Sequence, residues 1–413
     1  MSKKLAQVIA LVLLGVLLAT LSGLAGCAKE EGAKKEIVFG FLWDVTGRAA
    51  FATTKFHTSL KEYLRFTQEE DPIPGVEIKV VTYDTKSEPA RVAPGYLWLQ
   101  GKGAQIVSAA AHDCEALLPR LEADEVPSIG LAALLSVIDN PWTFFIYPPP
   151  EADIEVLMQW IMDSWDYEKE GRRPKVGFVG YGGYSFYEFP RARAEEVAEA
   201  NQDKIEWLGA EMPPVGAMTF AAEIAHLIDS DILICVLTGP PLASFAGEAR
   251  ERGFEGQFAG NATSFYSFWD VVTDVVPLED LDGTVTTSWG PLRSEDVAGN
   301  RAIIEHVFGE IEPTRDERDD ALRDWANGWH MGPIIMDSVR RAVAEVGAEN
   351  IDGRVLRDML AEFDMEMDGY GNRWYFLEDC KSLTRTIKMA QYRSAEDDWV
   401  SIGDYYQPPC LAD

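Results

Sequence analysis

From residue 36 onward, short apolar runs alternate with segments whose apolar residues recur every three or four positions. Residues 37–42 (IVFGFL) form an unbroken apolar run, the pattern of a strand buried on both faces, and 53–68 carry the spacing of an amphipathic helix. The same reading predicts a strand at 76–83, a helix at 89–101 opened by Pro89 and a strand at 105–110. A helix at 114–125 capped by Asp113 and a strand at 126–130 follow. Strands separated by helical segments imply right-handed βαβ units in a parallel sheet covered on both faces.

The run YPPP at 147–150 interrupts this alternation, because three prolines cannot continue a central strand or a helix interior. The alternation then restarts, with helices predicted at 154–165, 191–201, 220–227 and 242–253 and strands at 175–180, 231–237 and 257–260. A helix over 325–346 and a strand-like end complete the chain. At 413 residues the protein is too long for one ordinary core. Two doubly wound α/β lobes are the economical reading.

Composition narrows the classes. Hydrophobic residues make up 47% and aromatic residues 11% of the chain, which excludes a disordered acidic tail. Sixty-eight acids against 37 Lys and Arg give a net charge of −31, a field that repels phosphate backbones, so no nucleic-acid partner is expected. The N-terminus adds an address: Lys3 and Lys4, an apolar stretch over 5–21, then Leu24, Ala25, Gly26 and Cys27. Small residues directly before Cys27 resemble a bacterial lipobox, which implies removal of 1–26, lipidation of Cys27 and a polar tether over 27–35. The alternative is an uncleaved transmembrane anchor, since the apolar run sits at the short limit for spanning. Removing 1–26, which carries Lys3, Lys4 and no acid, takes the charge from −31 to −33. In an exported chain Cys380 and Cys410 are expected to pair, closing a loop that stabilises by roughly 3–4 kcal/mol. Cys235 lies in an apolar run and reads as packing. No CxxC pair and no Cys/His zinc spacing occurs, so no structural metal is expected.

Four stretches carry a family resemblance. They are GFLWDVTGRAAF at 40–51; YD at 83–84 through GKGAQIV at 101–107 to EVPSI at 125–129; KVGFVGYGGYS at 175–185; and DILI at 231–234 through ARERG at 249–253 to QFAG at 257–260. In order and spacing they resemble the periplasmic solute-binding proteins of ABC importers, of the leucine/isoleucine/valine-binding type. The resemblance implies two doubly wound parallel-sheet lobes of type I, joined by a three-segment hinge with crossings near 147–150, 286–290 and 367–370. Lobe 1 would then comprise 36–147 plus 288–366, and lobe 2 would comprise 148–287 plus 367–413. Ligand would be enclosed between the lobes, outside the carboxyl ends of the strands, where helix N-termini present free N–H groups.

By the same resemblance, Ala111, His112 and Asp113 fall where family members bind a carboxylate with Ser or Thr, and Ala133 falls in the next cleft loop. Ala111 removes a hydroxyl there. The plainer alternative is a surface His beside the cap Asp113. Tyr181 and Tyr184 would line the facing lobe. Asn261 and Ala262 occupy the place of the acid that meets an amino-acid ammonium, and its absence argues against an α-amino acid. Trp43, Phe51, Phe265, Tyr266 and Trp289 lie in or beside cleft segments, where rings suit flat or apolar solutes. The alternative is that a chain so rich in aromatic residues places some near any loop.

Enzyme signatures are thin. GYGGYS at 180–185 matches a dinucleotide fingerprint only in part, and neither GxSxG nor HExxH occurs. The expectation is a monomeric, lipid-anchored periplasmic or cell-surface solute-binding protein that is not an enzyme. It would carry no cofactor or metal and hand a small molecule to ABC permease subunits. The alternative is a ligand-sensing receptor ectodomain.

Overall fold

The structure is a computed structural model that describes residues 34–366, 373–376 and 387–406. Five parallel strands build the first sheet: β1 (Lys35–Trp43), β2 (Val76–Asp84), β3 (Ala104–Ala109), β4 (Ser128–Ala132) and β5 (Thr143–Tyr147), in the order β2-β1-β3-β4-β5. Its helices are α1 (Ala50–Glu70), α2 (Val92–Gly101) and α3 (Ala111–Asp124). The apolar run of β1 divides by alternation. Ile37, Phe39 and Phe41 face one core, whereas Val38 and Leu42 face the other with α2 and α3. A parallel sheet covered on both faces demands this continuous hydrophobicity.

The second lobe repeats the plan with α4 (Pro150–Ser164), α5 (Tyr167–Glu170), β6 (Lys175–Val179), α6 (Ser185–Ala200) and β7 (Glu206–Glu211). It continues through α7 (Ala221–Leu227), β8 (Ile232–Cys235), α8 (Pro240–Glu251), β9 (Gln257–Gly260), α9 (Trp269–Thr273) and β10 (Val285–Ser288). The chain then returns to the first lobe as α10 (Ala298–Phe308), the 32-residue α11 (Arg315–Val346), α12 (Gly353–Ala361) and a small ribbon, β11 (Asp364–Glu366) with β12 (Arg373–Tyr375). Last come β13 (Ile387–Arg393) and β14 (Asp398–Tyr406), which add antiparallel to β10 and complete a seven-stranded sheet ordered β14-β13-β10-β9-β8-β6-β7. This is the expected α/β architecture of two parallel-sheet lobes.

α11 starts at a capping box, with the Thr314 hydroxyl accepting from the Glu317 amide and the Glu317 carboxylate returning to Thr314. Gly328 and Gly332 let it lie close on α1, since a Cβ at Gly328 would overlap the Leu60 backbone and one at Gly332 the Tyr63 ring.

Pro149 is the N-cap and Pro150 the first residue of α4, a place where a missing N–H costs nothing, so the proline run opens a helix as well as ending β5. At the second expected crossing Leu292 packs into the core of the second lobe and Trp289 against the cores of both. The third, expected at 367–370, lies outside the described residues. Trp374 and Phe376 are buried in the first lobe's core. Cys27, Cys380 and Cys410, the segment 1–26 and most of the tether also lie outside the described residues. Among the described residues no helix is long and apolar enough to cross a membrane, and no group of His, Cys, Asp or Glu is arranged to hold a metal ion.

Candidate binding cleft between the lobes

The carboxyl ends of the two sheets face each other and touch. Arg48 Nη2 donates to the Tyr184 hydroxyl at 3.3 Å, and Ser185 Oγ donates to Glu115 Oε2 at 3.2 Å. The Phe51 ring lies 5.3 Å from that of Phe268. Phe51 also sits over Gly239, where a Cβ would come within 2.9 Å of its Cζ and where the backbone has φ 63°. Glycine is required there for the ring and for the turn alike.

Two buried or half-buried carboxylates shape the first-lobe loop after β1. Asp44 accepts from the amides of Gly47 at 2.5 Å and Ala49 at 2.8 Å, and from the Ser87 hydroxyl. Asp84 accepts from the Val45 amide at 2.9 Å, the Thr46 hydroxyl at 2.5 Å and the Lys86 amide at 3.1 Å. Burial works against ionisation of Asp84, but these hydrogen bonds together hold its carboxyl below the usual range. In the sequence both acids lie in stretches that carry the family resemblance, but a single Asp at a strand end has no motif that assigns it this role.

Helix α3 begins three residues earlier than expected. Its N-cap is Ala110 in an extended conformation, and no side chain caps it; Asp113 instead sits in the first turn. Ala111 is buried and His112 exposed, with His112 Nε2 3.5 Å from Asp113 Oδ1. Burial pushes the Asp113 carboxyl up, partly offset by His112. Ala133 is buried, its amide bonded to the Tyr147 carbonyl at 3.2 Å.

The aromatic candidates divide. Trp43 is half-buried, donates Nε1 to Ser108 Oγ at 2.9 Å and packs on Phe41 and Phe56. Tyr181 is buried edge-on against Tyr187, and burial raises its hydroxyl pKa. Tyr184 is the half-buried N-cap of α6. Phe265 is fully enclosed in the second lobe's core, and Tyr266 packs on Trp399 and accepts from the Arg293 amide, so neither lines the cleft. Asn261 and Ala262 are buried at the end of β9, and Asn261 Nδ2 has no hydrogen-bond partner among the described residues.

Trp289 leads into a joint that the sequence did not reveal. Its ring stacks on Tyr147 at 4.7 Å, and its Nε1 donates to Asp153 Oδ1 at 2.8 Å. The Tyr147 hydroxyl lies 2.9 Å from Asn327 Oδ1 and 2.5 Å from His330 Nδ1. Trp289 packs against the cores of both lobes. Burial drives the Asp153 carboxyl up to about 8; Trp289, the Thr287 hydroxyl and the Ala262 amide temper the rise, and Glu151 adds to it. Burial likewise raises Glu151 to about 7 and lowers His330 to about 3. The one sequence signal was the pair of acids, Glu151 and Asp153, in the first turn of the helix, which reads as ordinary complementarity to the helix dipole.

Two sheets presenting strand ends to a shared crevice, with one chain crossing between them repeatedly, suit capture of a solute. The family model described as periplasmic binding protein matches residues 36–397. The chain belongs to that family. Among curated proteins none matches it. Solved structures share the fold at low identity. A branched chain amino acid ABC transporter protein from Thermus thermophilus with bound valine is 13% identical with a TM-score of 0.75, over 92% of this chain and 98% of that one. A fatty acid ABC transporter substrate-binding protein from Thermomonospora curvata is 16% identical with a TM-score of 0.72, over 91% and 94%. A solute-binding protein from R. palustris in complex with benzoate is 16% identical with a TM-score of 0.69, over 90% and 97%. This periplasmic binding protein therefore has the lobes and crevice of solute-binding chains whose ligands, by those descriptions, differ widely.

Proposed function

We propose that this protein is the solute-binding component of an ABC importer, held to the membrane by lipidation at Cys27. It captures a small carboxylic acid between its lobes and delivers it to permease subunits. The observation that carries the reading is the crevice itself, where loops from both sheets meet across Arg48–Tyr184 and Phe51–Phe268. Ligand that touches both lobes stabilises the closed arrangement. The ligand carboxylate is placed at the N-terminus of α3, beside Ala111 and His112, where the first-turn amides and the helix dipole favour an anion. Asn261 Nδ2, buried without a partner among the described residues, offers a further donor from the second lobe. We further propose that Cys380 and Cys410 are paired, that the protein acts as a monomer, and that Trp43, Phe51, Ala133, Tyr181, Tyr184, Ala262 and Trp289 border the ligand or support its walls.

Thermal-shift screening of amino acids, amides and aliphatic and aromatic carboxylic acids tests this directly, because a ligand of the native state raises apparent stability by mass action. A carboxylic acid is expected to raise the melting temperature, and Trp43→Ala and Tyr184→Ala each to weaken its binding. If both variants bind it as tightly as wild type, the cleft is misplaced.

A further inference from the structure

An open groove of about 1380 Å³ lies on the second lobe at the amino ends of β9 and β10, the end opposite the cleft. It runs between α8 and residues 275–283, and the turn at 252–257 lines it as well. From α8 come Ser244, Gly247, Glu248 and Glu251, whose spacing of three and four places them on one helix face. The volume exceeds the roughly 300–1,000 Å³ of small-molecule sites, so the space suits a length of chain. β9 and β10 are interior strands of their sheet, so the groove offers no free strand edge and the segment it suits is a helix.

Arg250 ties the walls together. Its Nε donates to the Asp280 carbonyl at 2.8 Å and its Nη1 to the carbonyls of Phe254 and Gly256 at 2.6 and 2.9 Å. Its guanidinium lies 4.4 Å from the centre of the Phe258 ring. Walls fixed in this way are formed before a partner arrives, so less ordering opposes binding.

The surface of the groove combines two chemistries. Six of its 20 lining residues are acidic, nearly twice the proportion of 68 in 413 for the whole chain. Its two basic residues are both engaged: Arg250 is turned inward, and Arg252 Nε donates to Glu248 Oε1 at 2.9 Å. Glu251, Glu255, Glu279 and Asp280 are left exposed, in no ion pair among the described residues. Beside these acids Met218 is 51% and Val275 57% exposed, and Leu278, 36% exposed, stands between the lining residues Pro277 and Glu279. Three of the nine large apolar residues exposed among the described residues thus gather at one groove. Apolar side chains left to solvent singly are ordinary, but a strip of them bordered by unpaired charge of one sign is the pattern of an interface.

We propose that this groove docks a basic amphipathic helix of a protein partner. The helix lays its apolar face on Met218, Val275 and Leu278 and sets its lysines or arginines against Glu251, Glu255, Glu279 and Asp280. The same acids repel a nucleic acid or an anionic lipid surface, and a wholly apolar partner would desolvate them without pairing them. The groove belongs to the second lobe alone and shares no residue with the proposed cleft, so the inference stands apart from the solute-binding reading.

The experiment is a fluorescence-anisotropy titration of the protein against a labelled peptide of about 18 residues, built of leucine and lysine patterned as an amphipathic helix. One peptide is expected to bind per chain, and a version with glutamate in place of lysine is expected not to bind. Raising the salt from about 0.05 to 0.5 M should weaken binding about tenfold or more. Reversing charge in the groove, Glu251→Lys with Glu279→Lys, should weaken it about tenfold, and so should the uncharged change Met218→Ser with Val275→Ser. The control is Glu122→Lys with Glu199→Lys, exposed acids of α3 and α6 outside the groove, which alters net charge equally and should cost no more than about twofold. All six positions are exposed, so the variants are expected to keep the wild-type urea midpoint. Equal losses in the two reversals would assign binding to the acidity of the whole chain and overturn the site. Undiminished binding in the serine variant would reduce it to a site for any small cation, and a peptide that does not bind would overturn it outright. No cleft ligand enters these titrations, so failure of the importer reading leaves their outcome unchanged.

Discussion

Replacing Asp153 by Asn is expected to stabilise the protein at neutral pH and to do so progressively less as pH falls. Asp153 is fully enclosed, and Oδ1 accepts from Trp289 Nε1. Because burial raises the folded-state pKa from 3.8 to about 8, the folded chain holds the proton longer than the unfolded chain. The sign follows from that difference: the acid costs nothing below about pH 4, and stability is lost as pH rises until the carboxyl ionises near 8. At about 1.36 kcal/mol per unit, the span from 3.8 to pH 7 corresponds to a penalty of about 4 kcal/mol. Asn keeps an oxygen for the Trp289 N–H and cannot ionise, so its other packing costs are the same at every pH. Urea unfolding of wild type and Asp153→Asn at about pH 5 and pH 7.5 isolates the pH-dependent part. The variant's advantage should be larger at the higher pH by about 2–3 kcal/mol. An advantage equal at the two pH values, or larger at the lower one, would refute the burial argument.

Trp289→Ala should lose about 3 kcal/mol, since it removes a ring packed on both lobes and strips Asp153 of its donor, whereas Trp289→Phe should recover the stacking on Tyr147 alone; urea midpoints rank the three proteins. Gly332→Ala should destabilise by about 2 kcal/mol or more, read by the same assay, because its Cβ overlaps the Tyr63 ring at the α1–α11 contact. Phe51→Ala should leave the melting temperature of the ligand-free protein nearly unchanged, since the ring is 45% exposed. It should instead weaken cleft affinity and enlarge the radius of gyration in small-angle scattering, having released the contact with Gly239 and Phe268.

Much of the fold was legible because burial leaves a periodic trace. β1 stands out as IVFGFL because both faces of the first sheet are covered, and QFAG at 257–260 is a strand over those same residues. β7 and β5 are among the strands that the sequence reading does not give. β7, EWLGAE at the sheet edge, is half-exposed along its whole length and interrupted by Gly209 at φ 113°, so nothing alternates cleanly. β5, TFFIY, is a fully buried run, but the prolines after it drew the reading toward a boundary rather than a strand. Helix α3 was started too late because a capping side chain was sought, whereas the extended backbone of Ala110 begins the helix unaided.

The cleft was legible as a place and illegible as a set of contacts, and the aromatic residues show why. Their positions at strand ends suggested walls for a flat solute. The structure sets Trp43 on Phe41 and Phe56, Phe51 on the facing lobe and Trp289 between Tyr147 and Asp153. Those partners lie far apart in sequence, 136 residues for Trp289 and Asp153 and 183 for Tyr147 and His330, and no local pattern can report such pairs. A ring whose faces are already packed offers a ligand little more than an edge, so the abundance of aromatic residues argues for a stiff joint more than for an aromatic ligand. What the cleft still has to offer is polar: the first-turn amides of α3 on one side and the Asn261 amide on the other. Both are donors, which is the ground for proposing a carboxylate rather than an ammonium group as what the cleft takes.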